Sequence, residues 1–150
     1  MHLVIGSDHA GLALKSHLKS YLEISGHQVK DVGAFSCDSV DYPDIALAIG
    51  TELNAGRAAA GIAICGSGIG ISMAANKIAG IRAALCHEPV SARLSREHND
   101  ANILALGERM TTPLMAEEIV KVWLNTPFAG GRHQTRIIKM TQLEQHYTHE

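Results

Sequence analysis

The sequence has 150 residues, which fits one domain spanning residues 1–150, and a chain of that size buries roughly 70% of its unfolded surface. Hydrophobic residues make up 46% and charged ones 19%, a composition that excludes disorder, and no apolar run approaches the ~20 residues of a membrane helix. Lys and Arg total 13 against 15 Asp and Glu, a net charge of -2, so the basic footprint of a nucleic-acid binder is absent and neither nucleic acid nor a membrane is an expected partner.

The three cysteines, Cys37, Cys65 and Cys86, are odd in number and irregular in position. They do not form the framework of a secreted disulfide protein. The first residues lack the basic-then-apolar pattern of a signal peptide, and a cytoplasmic location is expected.

In chain order, Leu3-Val4-Ile5-Gly6 predicts a strand that stops at Ser7-Asp8-His9, and Leu14, Leu18 and Leu22 predict a helix. Gly26 closes that helix in the left-handed conformation, and Gln28 to Val32 alternates as a half-buried strand. A loop runs from Phe35 to Asp41. Pro43 suits the first turn of a helix with Ile45, Ile49 and Leu53 on one face, ended by Asn54-Ala55-Gly56.

Gly61 to Ile64 is a third strand, followed by a helix from about Ile69 to Ala79, a strand at Arg82 to Leu85 and a helix from Pro89 to Glu97. Asn102 to Leu106 is the fifth strand, with His98, Asn99 and Asp100 in the loop before it. Thr112-Pro113 opens a helix containing Met115, Ile119 and Val122, and a last helix after Gly130-Gly131 carries Ile137 and Met140. Strands alternate with helices, and the third and fifth strands are apolar on both faces. The fold expected is a three-layer α/β/α sandwich with a Rossmann-like five-stranded parallel sheet. Ligands of such sheets bind outside the carboxyl ends of the strands, so Asp8-His9, Cys65 to Gly68, Cys86-His87 and Gly107-Glu108-Arg109 are the places to seek chemistry.

Gly61 to Ser72 is an apolar strand running through a glycine-rich turn into a helix. Free backbone N–H groups in such a turn stabilise an oxyanion or phosphate. The same field acts on Cys65 and makes it a candidate base or nucleophile; the other reading is a small buried residue ending a strand. Gly66, Gly68 and Gly70 are spaced G-x-G-x-G, which lacks the third glycine of the dinucleotide fingerprint, and neither a P-loop nor a nucleophile elbow is present.

Arg132 and Arg136 are spaced i, i+4 in Gly130-Gly131-Arg132-His133-Gln134-Thr135-Arg136. Positive charge crowded into a first helical turn opposes the helix dipole, and a bound phosphate would compensate it; a merely solvated basic face is the alternative. Arg109 is a third candidate phosphate ligand. His9 and His98 lie in acid-base range beside polar neighbours, a position that suits structural hydrogen bonding equally well. No histidine or cysteine pair has metal-site spacing.

The runs Ser7-Asp8-His9-Ala10-Gly11, Cys65 to Lys77, Ser95 to Asn102 and Gly130 to Arg136 together resemble the ribose-5-phosphate isomerases of the B type, within the ribose/galactose isomerase family, over nearly the whole chain. The resemblance implies metal-free and cofactor-free interconversion of ribose 5-phosphate and ribulose 5-phosphate in the non-oxidative pentose phosphate pathway. By position it implies Cys65 as the base moving a proton between C1 and C2 through a cis-enediolate, and His98 as the residue opening the furanose. Asp8 would lie near the ring hydroxyls, Gly66, Ser67, Gly68, Ile69 and Gly70 around the enediolate oxygen with Ser67 beside the proton path, and Asn99 on a substrate oxygen.

His9, Arg109, Arg132 and Arg136 would hold the phosphate. The resemblance further implies a homodimer or homotetramer with sites shared across the dimer interface, the C-terminal helix contributing to the dimer and His98, Asn99 and Arg109 serving the neighbouring site. One branch of the family uses a glutamate as base; here Ile71 holds that position, which leaves Cys65. Alternative readings are an allose-6-phosphate or galactose-6-phosphate isomerase, a non-catalytic phosphosugar-binding module, and a thiol redox sensor.

Overall fold

The computed structural model describes residues 1–147. Five strands, β1 (His2–Ser7), β2 (Gln28–Asp31), β3 (Ala60–Cys65), β4 (Ala83–Leu85) and β5 (Ile103–Gly107), form one sheet in the order β2-β1-β3-β5-β4. Every pairing is parallel. The helices are α1 (Leu12–Ile24), α2 (Tyr42–Asn54), α3 (Ile69–Ala75), α4 (Pro89–Asn99), α5 (Pro113–Asn125) and α6 (Arg132–Tyr147). No helix among the described residues is long and apolar enough to cross a membrane.

Apolar residues on both faces of β1, β3 and β5 require cover on both sides. Leu14, Leu18 and Leu22 of α1, Ala92 of α4, and Ala116, Ile119, Val120 and Trp123 of α5 bury one face, against Ile5, Ile62 and Leu104. Ile45, Ala46 and Ile49 of α2 with Ile71 and Ala75 of α3 bury the other, against Val4, Ala63 and Ala105. The expected three-layer sandwich is the fold found. Because β3 feeds a helix on one face while its neighbours β1 and β5 feed helices on the other, a crevice opens beside the carboxyl end of β3.

Three elements differ from the sequence expectation. Helix α3 ends at Ala75, because the side chain of Asn76 accepts from the Ala83 amide and donates to the Ala83 carbonyl, tying the chain to β4 at 2.8 and 2.9 Å. Helix α4 runs on through His98 and Asn99, which are therefore helical; it stops at Asp100, whose left-handed φ of 44° closes the end while the Ala101 amide bonds the Ser95 carbonyl. In α5 the inward stripe is Ala116, Ile119, Val120 and Trp123, and Met115 is exposed.

Candidate active site

At the end of β3, Cys65 is buried among apolar neighbours and its Sγ accepts the Gly68 amide at 3.1 Å. The turn that follows needs glycine at Gly68, which caps α3 with a left-handed φ of 78° and packs against Leu85 and the Leu106 backbone. The Ser67 hydroxyl accepts the Ile69 amide at 3.2 Å. Among the described residues the amides of Gly66, Ser67 and Gly70 have no protein acceptor. They are the donors the expected oxyanion site requires.

Both neighbouring strand ends converge on this turn. The Asp8 amide donates to the Ile64 carbonyl at 3.1 Å, which sets the buried Asp8 beside the end of β3. One carboxylate oxygen of Asp8 accepts the Ala10 amide at 2.9 Å, starting a 3-10 turn over His9–Gly11. His9 is exposed, and its Nδ1 accepts the Val40 amide at 3.2 Å. That bond puts the proton of the neutral ring on Nε2, where it can be donated to an anion. From β5, the amides of Glu108 and Arg109 donate to the carbonyls of Cys65 and Gly66, both at 3.0 Å. The exposed Arg109 guanidinium lies over Gly66 so closely that a Cβ there would come within 2.8 Å of it.

Tyr42, absent from the sequence reading, and Glu108, marked there only as a position following the fifth strand, complete this half. Tyr42, at the start of α2, lays its ring where a Cβ on Gly70 would come within 2.6 Å, and so walls the turn on the side facing α2. Glu108 accepts the Leu14 amide at 2.9 Å and fastens α1 to the end of β5. The only sequence signal for either was its place next to a strand end or a helix start. Ile71, the position implied for an alternative base, is fully buried in the apolar core.

His98, Asn99, Arg132 and Arg136 are elsewhere. Helix α4 starts at the carboxyl end of β4, and its eleven residues carry the chain about 16 Å back, so His98 and Asn99 sit at the amino end of β5. There the Asn99 carbonyl accepts from Arg82, the residue before β4, at 3.0 Å. The His98 ring stacks on His133 of α6 with centroids 4.3 Å apart and planes 12° apart, which brings the first turn of α6, with Arg132 and Arg136 exposed, to the same place.

Burial, and then the charges of His98, Arg132 and Arg136, hold the His133 pKa below its ordinary value, while Glu97 opposes the shift. Within one chain the candidate residues thus form two groups at opposite ends of the sheet. Arg109 stays with Cys65, whereas the sequence reading grouped it with His98 and Asn99, because strand β5 separates its end from theirs.

Residues 3–140 match the family described as Ribose/Galactose Isomerase. The chain is 46% identical over 143 residues to ribose-5-phosphate isomerase B of Escherichia coli, covering 95% of this chain and 96% of that one. The solved ribose-5-phosphate isomerase B of Clostridium thermocellum is 50% identical, with a TM-score of 0.97 over 98% of this chain and 99% of its own. That of Mycoplasma genitalium, solved with ribulose 5-phosphate bound, is 38% identical with a TM-score of 0.91 over 96% of each chain.

Proposed function

The chain belongs to the ribose/galactose isomerase family, and from that premise we propose that it interconverts D-ribose 5-phosphate and D-ribulose 5-phosphate through a cis-enediolate. The observation that carries this reading is the meeting of Cys65, the unbonded amides of Gly66, Ser67 and Gly70, and Arg109 at one strand end. Aldose-ketose isomerisation needs a base at C2 and C1 and fixed donors where charge develops on oxygen, and such a crevice supplies both.

His98 takes the hydroxyl proton at the anomeric carbon and returns a proton to the ring oxygen, opening the furanose. The Cys65 thiolate then removes the proton from C2, negative charge passes to the oxygen facing the glycine amides, and the same proton returns to C1. Ser67 lies beside the path by which the C2 hydroxyl loses its proton as O1 gains one. His9, Arg109, Arg132 and Arg136 hold the phosphate, Asp8 the ring hydroxyls and Asn99 a further oxygen. No step needs a redox cofactor, because the proton leaving C2 is the one delivered to C1.

Since Cys65 and His98 lie at opposite ends of one sheet, a complete site is built from two copies of the chain. One copy gives Asp8, His9, Cys65 to Gly70 and Arg109, and the other gives His98, Asn99, Arg132 and Arg136. Helix α6 carries part of that second contribution into a homodimer, and a homotetramer would repeat the arrangement. A cytoplasmic location suits a phosphorylated sugar as substrate.

The deciding experiment assays wild-type protein and Cys65→Ala with ribose 5-phosphate and allose 6-phosphate in the presence of a chelator. Chelator-resistant turnover favouring the pentose is expected, with kcat falling about a hundredfold to ten-thousandfold in Cys65→Ala while phosphosugar binding persists. Preference for the hexose would change the substrate, and binding without turnover by the wild type would make the chain a phosphosugar-binding module.

A further inference from the structure

Lys15 stands in the second turn of α1, yet it is 1% exposed. A buried ammonium is costly unless it is paired and hydrogen-bonded. Its Nζ meets Asp31 Oδ1, at the end of β2, at 2.8 Å and also donates to the Ala34 carbonyl. The ring of Phe35, itself largely exposed, covers the ammonium with its centroid 4.9 Å away. The same Asp31 oxygen accepts the Gly33 amide at 2.9 Å. Three consecutive residues, Gly33, Ala34 and Phe35, are therefore gathered around one pair of charges.

That segment is bound to the site at both ends. The Ser7 amide donates to the Gly33 carbonyl at 2.6 Å, and the Ala34 amide donates to the Ser7 carbonyl, directly before Asp8. Farther along, the Val40 amide donates to His9 Nδ1, and the chain then enters α2 at Tyr42, whose ring walls the glycine turn. The stretch from Gly33 to Tyr42 thus makes one side of the crevice, and it contains no regular structure of its own before α2. A segment of that kind holds its shape through its anchors.

We infer that Lys15 is a positioning residue of the isomerase site: with Asp31 it anchors the Gly33 to Tyr42 segment so that His9 presents its Nε2 proton to the substrate phosphate and Tyr42 closes the glycine turn. The inference rests on the phosphosugar reading above. It concerns ground-state binding, because the groups it positions hold the phosphate and wall the crevice while Cys65 is held independently by β3 and the Gly68 amide. Its signature is a rise in KM that exceeds any loss in kcat.

Lys15→Met alone leaves the Asp31 carboxylate unpaired and lowers the melting temperature, so the informative variant is Lys15→Met combined with Asp31→Asn, which removes both charges and keeps an acceptor for the Gly33 amide. The double variant is expected to regain most of the melting temperature lost by Lys15→Met. Its KM for ribose 5-phosphate should nonetheless stay about tenfold above wild type, with kcat within about threefold. The Val40 amide should lose protection from hydrogen exchange in the same variant. A double variant with wild-type KM and wild-type Val40 protection would overturn the inference and leave Lys15 a purely structural charge. An inactive wild type would instead overturn the isomerase reading, and wild-type Val40 protection in the double variant would still reject the anchoring role by itself.

Discussion

His133 couples the stability of this protein to pH. It is buried, its ring stacks on His98, and Arg132 and Arg136 share its helical turn. Burial first, and then those positive neighbours, depress its pKa below the ordinary 6.5. A base depressed in the folded state stays neutral there while the unfolded chain binds a proton. Its contribution is therefore present in full above the unfolded value and lost as pH falls through the folded one. Melting temperature should drop as pH falls below the ordinary value of 6.5, and His133→Asn should flatten that drop. A variant that loses as much over this window as the wild type would show that other groups carry it. The residues legible in the sequence, Asp8, His9, Cys65 and Arg109, each follow an apolar strand, and the parallel sheet puts all such positions on one edge. Lys15 and Tyr42 were not legible, because a lysine inside a helix and a tyrosine before Pro43 look like solvated positions until tertiary packing brings Asp31, Phe35 and Gly70 against them.

The glycine turn and the end of β5 are built as one element. The register sets Cys65 opposite Gly107, and the backbone of Ser67 lies so close to Gly107 that any Cβ there would overlap it. Gly107→Ala must push the turn away from β5, displacing the amides of Gly66, Ser67 and Gly70 together. Overpacking of this kind costs about 1–3 kcal/mol, and it should lower kcat more than it raises KM, since those amides act where charge develops. Denaturant unfolding alongside steady-state kinetics tests this, and wild-type kcat with wild-type stability would refute it. The strands β1, β3 and β5 were readable as apolar runs, whereas the helix ends beside them were not. The pattern Lys77-Ile78-Ala79 continues α3 on paper, but the two bonds from Asn76 to Ala83 end it. Conversely, His98-Asn99-Asp100 looks like a loop, yet His98 and Asn99 complete α4 because Asp100 takes the left-handed conformation that closes the helix. That last turn moves His98 and Asn99 onto a rigid element stacked against α6.

Across the whole molecule, the distance between the ends of the sheet becomes a statement about assembly. Cys65 pairs with Gly107 at the carboxyl end of β5, and His98 precedes the amino end of the same strand. One imidazole and one thiol so separated cannot act on a single pentose within one chain. If two copies related by a two-fold axis each complete the other's site, Cys65→Ala removes one half of every site and His98→Ala removes the other half. Each variant alone should be inactive on ribose 5-phosphate. Unfolding and refolding them together in equal amounts makes about half the dimers hybrids, each with one damaged site carrying both substitutions and one site carrying neither, so about a quarter of wild-type activity should return. Slow exchange of the mixture into excess Cys65→Ala chains should raise the recovered activity toward twice that amount, because nearly every His98→Ala chain then sits in a hybrid with one intact site. No recovery from a refolded mixture, with hybrids verified by mass, would place Cys65 and His98 in separate functions and return His98 to a structural part of the His133 stack.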